Sequence, residues 1–319
     1  MQVHLRSEAR PGGSRWARGF FFASLMGALL AMGLSGCGFG GGGTSSTGGP
    51  PVTCPSASTT ASWHLVNSGK LTVASDTTYA PAEYADPNNP TQFIGYDMDL
   101  AREIARRLCL TASIQKADFG SIIPDISGPA LGSQRYDMSI SSFTINSDRE
   151  QKVNMIPYFT AGESLLVPSG NPKGFTADFS SLCGHTIAVQ DNTVEQGEVN
   201  DANGTGDGTS GQKPVCKSNK IKILHFADQT VVVQQVVSNN ADASYQDSPV
   251  TGYYAKLNTS LQVGPVTVTP SPEGIVMRKD NAALQQAVTD ALNAMRSDGT
   301  YLKILTQWGQ QSGAYPALS

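Results

Sequence analysis

Three segments decide the fold class: KLTVA at 70–74, DMDLAREIARRL at 97–108 and TASIQK at 111–116. The first and third segments predict strands. The second places its apolar residues on one face of a helix, and Asp97 precedes them as the expected N-cap. Because strand, helix and strand follow one another, the sequence predicts a mostly parallel sheet covered by helices, which is an α/β fold.

The alternation continues and then restarts further along the chain. A third strand is predicted at 137–140, and Ser147–Glu150 has the capping-box pattern that opens a helix. A second series of strands is predicted at 186–189, 221–226 and 241–245. The chain is therefore expected to hold two α/β units, and its last two helices are expected to return to the first unit.

The N-terminus has the layout of a lipoprotein signal peptide, predicted to span residues 1–36. A basic segment precedes an apolar core from Phe20 to about Leu34, which is shorter than a membrane-spanning helix requires. The core ends at LSGC, which resembles the bacterial lipobox, so Cys37 is the predicted lipidation site. The alternative is an uncleaved start-transfer helix. Residues 37–62, rich in Gly, Ser, Thr and Pro, then form the lipidated cysteine and a flexible linker. The protein is expected outside the cytoplasm, lipid-anchored to the cell membrane.

The charge of the chain argues against nucleic-acid binding. The full chain has a formal net charge of -4. Without the signal, which holds four arginines and one glutamate, 18 basic and 25 acidic residues remain, so the net charge is -7. An acidic surface repels phosphates, and no basic cluster interleaved with aromatic residues offsets it. Nucleic acid is therefore not an expected partner.

Four cysteines remain beside the predicted lipidation site: Cys54, Cys109, Cys183 and Cys216. Their spacing fits no metal site, so neither a metal nor another cofactor is expected. Outside the cytoplasm an even number predicts disulfides, and four cysteines allow three pairings. Cys183 and Cys216 each precede a predicted strand, and the starts of neighbouring parallel strands lie at one edge, which favours the bond Cys183–Cys216. The same argument favours Cys54–Cys109.

Five stretches, in this order, resemble the amino-acid-binding family of periplasmic solute receptors. They are GKLTVASDTTYAP at 69–81, IGYDMDL at 94–100, SFTINSDRE at 142–150, ASYQDSP at 243–249 and, with Trp308, SDGTY at 297–301. The resemblance implies the two-lobed type II periplasmic-binding-protein fold, with a two-strand hinge and the ligand in the cleft.

The resemblance also implies an organisation and a partner. Lobe 1 is expected to comprise residues 63–162 and 269–319, and lobe 2 residues 163–268. The chain should cross between them near 160–164 and 263–272. The protein is expected to be a monomer that binds a small, polar or cationic L-amino acid and delivers it to the membrane permease of an ABC importer.

Recognition of a free amino acid requires a cation for the carboxylate and an anion for the ammonium group. Arg149 is the candidate for the carboxylate, and Ser142 and Thr144 can add hydrogen bonds. The alternative is that Arg149 pairs with a surface acid such as Asp148. Asp247 is the candidate for the ammonium, and the alternative for this residue is a helix N-cap.

The resemblance assigns four further residues to the ligand. Thr193 belongs to a second carboxylate-binding turn, although Asp191 stands where the family usually has Gly. Tyr79 and Phe119 match aromatic walls of the pocket, with the protein core as their alternative. Asp76 matches the side-chain end of the ligand, with capping of the following loop as its alternative. An acid there suits an amide or cationic side chain.

Two other functions are compatible with this fold. The first is an enzyme, such as a dehydratase related to these receptors, which needs a general acid or base beside the ligand. His64, His185 and His225 fall outside the ligand motifs, so no enzymatic activity is expected. The second is a sensor that reports its ligand to a membrane partner, and its binding chemistry is identical.

Overall fold

The computed structural model describes residues 52–266 and 270–316, which form two five-stranded sheets with flanking helices and one three-stranded sheet. The helices of this part of the chain are α1 (Ala57–Ala61), α2 (Tyr96–Arg107), α3 (Phe119–Ser127), α4 (Ser147–Lys152), α5 (Val194–Asn203), α6 (Gln229–Val237), α7 (Ser248–Leu257), α8 (Ala282–Ser297) and α9 (Thr300–Gln307). The strands are β1 (Lys70–Ser75), β2 (Thr78–Tyr79), β3 (Glu83–Asp86), β4 (Asn89–Ile94), β5 (Thr111–Lys116), β6 (Met138–Ser139), β7 (Asn154–Ala161), β8 (Glu163–Pro168), β9 (Thr186–Gln190), β10 (Lys222–Phe226), β11 (Ala243–Asp247), β12 (Leu261–Val266) and β13 (Ser271–Met277).

The sheet of lobe 1 has the strand order β5-β1-β6-β13-β7. Strand β1 is parallel to both of its neighbours, β5 and β6, as the strand–helix–strand pattern predicts. Strand β13 is antiparallel to β6 and β7 because it enters the lobe from the opposite direction. The three-stranded sheet β2-β3-β4 lies between β1 and α2 along the chain.

The sheet of lobe 2 repeats this arrangement, with the order β10-β9-β11-β8-β12. Strand β9 is parallel to β10 and β11, whereas β8 and β12 are antiparallel neighbours. The chain passes between the lobes twice. Strand β7 ends at Ala161 and β8 begins at Glu163, and β12 ends at Val266 before β13 begins at Ser271. The protein thus has the two-lobed α/β architecture with two connecting strands.

The last two helices pack on lobe 1, as expected. Helices α8 and α9 contact each other and α2. Leu284, Val288 and Leu292 of α8 are fully buried in the core that also contains Leu71 and Val73 of β1. Since both ends of the described chain belong to lobe 1, lobe 2 is an insertion between β7 and β13.

Both disulfide bonds that the sequence predicts are present. Cys183 and Cys216 have Cα atoms 5.3 Å apart, and the parallel pairing of β9 with β10 follows them. Cys54 and Cys109 have Cα atoms 5.6 Å apart, and their bond ties the start of the described chain to the end of α2. Cys216 is buried in the core of lobe 2.

Two predicted helix caps are wrong. Helix α2 begins after Gly95, whose φ of 130° suits glycine and where a Cβ would collide with the carbonyl oxygen of Ala82. Asp97 is instead buried inside the first turn, where it accepts a hydrogen bond of 2.7 Å from the Tyr158 hydroxyl. Helix α4 is capped by Asn146, one residue before the expected Ser147, because the Asn146 side chain accepts from the Arg149 N–H at 2.9 Å.

Part of the expected linker is folded. Helix α1 lies within residues 37–62, and the Ser56 side chain caps it by accepting from the Thr59 N–H at 3.2 Å. The nearby Cys54–Cys109 bond holds this segment against lobe 1. The signal peptide, Cys37 and the linker up to residue 51 lie outside the described residues. Within the described ranges, no helix has the length and apolar character needed to cross a membrane.

Candidate ligand-binding site

A narrow cavity lies between the two lobes. All eight residues that the sequence predicts as ligand contacts line it. Its lining from lobe 1 is Asp76, Tyr79, Glu83, Phe119, Ser141, Ser142, Thr144 and Arg149, and from lobe 2 Gln190, Thr193, Val194, Glu195 and Asp247.

The Arg149 guanidinium is buried and points into the cleft, with 9% of the residue exposed. Its Nη1 donates to the Thr144 carbonyl at 2.7 Å, and its Nη2 donates to the Asn192 carbonyl of lobe 2 at 3.4 Å. Burial lowers the pKa of Arg149 to about 10, so the group is charged at neutral pH. Two carbonyls leave several of its five N–H donors for a ligand, which suits a bidentate carboxylate. The contacts favour this role over the alternative of pairing with Asp148.

Two stacked aromatic rings support the arginine. The rings of Phe119 and Phe143 lie 4.1 Å apart and nearly parallel, at 12°. The Arg149 Cζ is 5.0 Å from the Phe143 centroid and 5.5 Å from the Phe119 centroid, within the range of a cation–π contact. Phe119 therefore forms a wall of the cavity and also orients the guanidinium.

Asp247 occupies the backbone position of the α7 N-cap, but its carboxylate faces the cleft. Its Oδ2 accepts a hydrogen bond of 2.8 Å from the Tyr79 hydroxyl in lobe 1. Burial and the neighbouring acids Glu195 and Glu273 raise the pKa of Asp247 well above its usual range. A cation beside this carboxylate would stabilise its ionised form. Asp247 thus has the alternative N-cap position in its backbone, while its side chain is left free of a capping hydrogen bond and lines the cavity.

Asp76 lines the cavity and has partners in both lobes. Its Oδ1 accepts from the Thr78 hydroxyl at 3.0 Å, which is the local bond expected of a loop cap. Its Oδ2 accepts from the Gln190 side-chain amide of lobe 2. Burial raises the pKa of Asp76 to about 6. Both interpretations of this residue thus have a structural basis.

The three predicted hydroxyl-bearing residues, Ser142, Thr144 and Thr193, differ in the contacts that their polar groups make. Thr193 caps α5, since its Oγ1 accepts from the Gln196 N–H at 3.2 Å while donating to the Gln190 carbonyl at 2.8 Å. Its side-chain proton is therefore engaged within lobe 2. Ser142 lines the cavity on a backbone with φ of 47°, and its N–H donates to Asp97 at 3.2 Å. Thr144 contributes the carbonyl that fixes Arg149.

Asp191, which stands where the resemblance leads one to expect glycine, has its side-chain partners outside the cavity lining. Its Oδ1 accepts from the Gln196 amide at 2.9 Å and lies 2.7 Å from the His225 Nδ1. These partners hold its carboxylate outside the cavity lining. The substitution therefore adds no charge next to the predicted carboxylate site.

Comparison with known proteins decides the family. Residues 71–311 match the sequence profile of the bacterial extracellular solute-binding proteins, family 3. The chain belongs to this family. Among curated relatives, the ABC transporter arginine-binding protein 1 of Escherichia coli K12 is 26% identical over 249 residues, which cover 76% of this chain and 91% of that protein.

Solved structures of related solute-binding proteins show the same fold. An ancestral arginine-binding protein bound to arginine is 29% identical, with a TM-score of 0.65 over 76% of this chain and 98% of the other. The ancestral amino acid-binding protein AncCDT-1, a precursor of cyclohexadienyl dehydratase, is 32% identical, with a TM-score of 0.63 over 75% of this chain and 95% of the other. This precursor of a dehydratase is itself named as an amino acid-binding protein.

Several residues that line the cavity of this family 3 protein were not predicted. Glu195 lies in the first turn of α5, where an acid ordinarily serves the helix dipole in solvent. Glu83 begins β3 and accepts from the Ser141 hydroxyl at 2.9 Å. Gln190 ends the apolar strand β9, and a polar residue at that position was the one available signal.

The cavity of this solute-binding protein is strongly acidic. Four carboxylates line it, those of Asp76, Glu83, Glu195 and Asp247, and Arg149 is the single Lys or Arg among its lining residues. Burial raises the pKa of each of the four carboxylates. A cationic ligand relieves this cost because it favours their ionised forms.

Proposed function

We propose that the protein captures a cationic L-amino acid, of the arginine type, in the cleft between its lobes and delivers it to an ABC importer. The observation that carries this proposal is the excess of four buried carboxylates over one arginine in the cavity. A zwitterionic amino acid needs one anion and one cation, so Arg149 and Asp247 suffice for its α-groups. The acids in excess of this pair favour a ligand that carries a further positive charge.

The ligand is expected to lie with its α-carboxylate on Arg149 and its α-ammonium on Asp247. Its side chain then extends past Tyr79 and Phe119 towards Asp76, whose carboxylate receives the distal cation. Charge-assisted hydrogen bonds to buried partners supply both affinity and orientation. The names of the arginine-binding relatives support this assignment.

We infer that the protein acts outside the cytoplasm as a monomer held at the membrane by a lipid on Cys37. The lipobox-like LSGC and the Gly-rich residues that follow support an anchor with a tether. The two-lobed cleft and the family support delivery of the ligand to a permease. Replacement of Cys37 by alanine should release the protein from membrane fractions. Unchanged retention of that variant would favour an uncleaved helix.

We infer that the cleft binds its ligand without chemical conversion. None of the described histidines, His64, His185 and His225, lines the cavity. The buried carboxylates that line the cavity are suited to binding a cation. Incubation with candidate amino and keto acids should leave them unchanged, and formation of any product would contradict this part of the proposal.

A thermal-shift screen over the common L-amino acids tests the ligand class. A ligand that binds the folded state alone stabilises it by about 2.7 kcal/mol at a hundredfold excess over its dissociation constant. We expect the largest shifts from arginine, lysine and ornithine. Larger shifts from glutamate or aspartate would reject a cationic ligand, and shifts from glutamine alone would restrict the site to an uncharged amide.

A further inference from the structure

Three acids of lobe 2 meet at one end of the cavity. Glu163 begins β8, Glu195 lies in the first turn of α5, and Asp247 ends β11. One carboxylate oxygen from each lies within 4.8 Å of the other two. All three residues are buried, with 3 to 5% exposed. The three acids are far apart in the sequence, and the fold brings them together.

Within the described residues, no lysine or arginine forms an ion pair within 4.0 Å of these three acids. Asp247 accepts from the Tyr79 hydroxyl, and Glu163 Oε2 lies 3.4 Å from the Tyr245 hydroxyl. Glu195 Oε1 is buried without a hydrogen-bond partner, although the residue lines the cavity. A buried carboxylate oxygen without a partner is costly, so this atom indicates where a donor from the ligand belongs.

The oxygens lie close enough together for one ammonium group to reach two of them. An N–H···O hydrogen bond is about 2.9 Å long, and two acceptors at the tetrahedral angle around one nitrogen are about 4.7 Å apart. Glu195 and Asp247 both line the cavity, whereas Glu163 lies outside the lining and therefore behind them. Two of the three N–H donors of an ammonium can thus reach two carboxylates of the cluster.

We propose that Glu195 and Asp247 form a carboxylate pair that together holds the ligand's ammonium group, and that Glu163 behind them keeps its proton, which allows both members of the pair to ionise when the ligand binds. This inference rests on the proposed function, because it assigns the ammonium end of that ligand. Glu195 is then a residue that contacts the ligand, and Glu163 is a positioning residue that acts through the pair.

The electrostatic surroundings agree with this division of roles. Burial and the neighbouring Glu195 raise the pKa of Glu163 to about 10, so it holds its proton at neutral pH. Burial also raises the pKa of Glu195, whereas Arg149 acts in the opposite direction and favours its charge. The charged and titratable groups that face the cluster from the surrounding elements are Tyr79, Arg149, Glu198, Tyr245 and Glu273.

Calorimetry with L-arginine at pH 7 tests the proposal with three isosteric variants of the full protein. Glu195→Gln is expected to weaken binding by about 10- to 100-fold, the effect of losing a hydrogen bond to a charged group. Glu163→Gln should stay within about threefold, because a neutral amide retains the donor of a protonated acid. Glu103→Gln is the control, because this partly buried glutamate of α2 lies outside both the cluster and the cavity lining. It should also stay within about threefold.

The number of protons released on binding is a second measurement. A purely structural effect of the substitution would not change it. Titrations in two buffers of different ionisation enthalpy give the number of protons released on binding. We expect fewer for Glu195→Gln than for the unmodified protein, and no change for Glu163→Gln.

Three outcomes would overturn the inference. Unchanged affinity in Glu195→Gln would remove this residue from the ammonium site, while binding by the unmodified protein would leave the proposed function intact. A loss in Glu163→Gln as large as that in Glu195→Gln would show that Glu163 is charged. If calcium or manganese alone stabilises the unmodified protein, and Glu195→Gln and Glu163→Gln both lose this stabilisation, the cluster is a metal site. If the unmodified protein binds no cationic amino acid, the proposed function and this inference fail together.

Discussion

The Tyr79 hydroxyl of lobe 1 donates a hydrogen bond of 2.8 Å to Asp247 Oδ2 of lobe 2. The Asp247 N–H donates back to the same phenol oxygen at 3.1 Å. Both residues line the cavity and are at least nine-tenths buried. The predicted aromatic wall and the predicted ammonium acceptor thus form one contact, which joins the lobes at the ligand site.

Replacement of Tyr79 by phenylalanine should weaken L-arginine binding by about 0.5–1.5 kcal/mol, the net worth of one hydrogen bond. The ring remains as a wall of the cavity, but the hydrogen bond between Tyr79 and Asp247 is lost. The arrangement in which the two lobes meet at the ligand is therefore less favoured. Calorimetry measures the change. Tyr315→Phe, outside the cavity, is the control, and equal effects of the two variants would contradict a specific role for Tyr79.

Replacement of Arg149 by alanine should weaken binding by about 2–5 kcal/mol, since the ligand carboxylate is left buried without its partner. Arg149→Lys should also weaken binding because the bidentate fork is lost. Arg135, whose side chain is 65% exposed and pairs with Asp125, provides the control Arg135→Ala. Unchanged affinity in Arg149→Ala would remove this residue from the site.

The contribution of Asp76 to the L-arginine affinity should rise with pH up to about pH 6 and then level off. The pKa of Asp76 is about 6 in the free protein, and a bound cation lowers it, so binding releases a proton at acidic pH. In Asp76→Asn this contribution is absent, and the profile should be flatter and the affinity lower at pH 7. A variant profile as steep as that of the unmodified protein would assign the pH dependence to another group.

Loss of the Cys183–Cys216 bond should lower the free energy of unfolding by roughly 3–4 kcal/mol, as expected for a closed loop of this length. The double variant Cys183→Ser/Cys216→Ser, compared with Cys54→Ser/Cys109→Ser, gives the effect by chemical denaturation. Peptide mapping without reduction identifies the bonds directly. Recovery of Cys183 linked to Cys54 or Cys109 would contradict both the pairing and the adjacency of β9 and β10.

The sequence was sufficient for the parts of the molecule that local patterns determine. The strands β1, β5 and β9 lie where apolar runs predict them, and the neighbouring strands β9 and β10 bring Cys183 to Cys216. Arg149 and Asp247 could be predicted because each lies in a recognisable stretch beside a helix start.

The remaining acids of the site could not be predicted because their environment is created by tertiary structure. Glu195 has the sequence context of a solvent-exposed acid in a first turn, yet folding of the chain between the lobes buries it. Asp97 looked like an N-cap, but Gly95 supplies the backbone conformation and Tyr158 of β7 supplies the hydrogen bond. In both cases the decisive partner is distant in the sequence.

Calorimetric titration of the unmodified protein with L-arginine and with L-glutamate tests the central claim most directly. The two ligands present the same α-carboxylate and α-ammonium to Arg149 and Asp247, and they differ in the charge that reaches Asp76. The acidic cavity predicts that one L-arginine binds per chain and that L-glutamate binds at least about 100-fold more weakly, the effect of like charges in a buried site. Equal binding of both, or tighter binding of L-glutamate, would contradict the account.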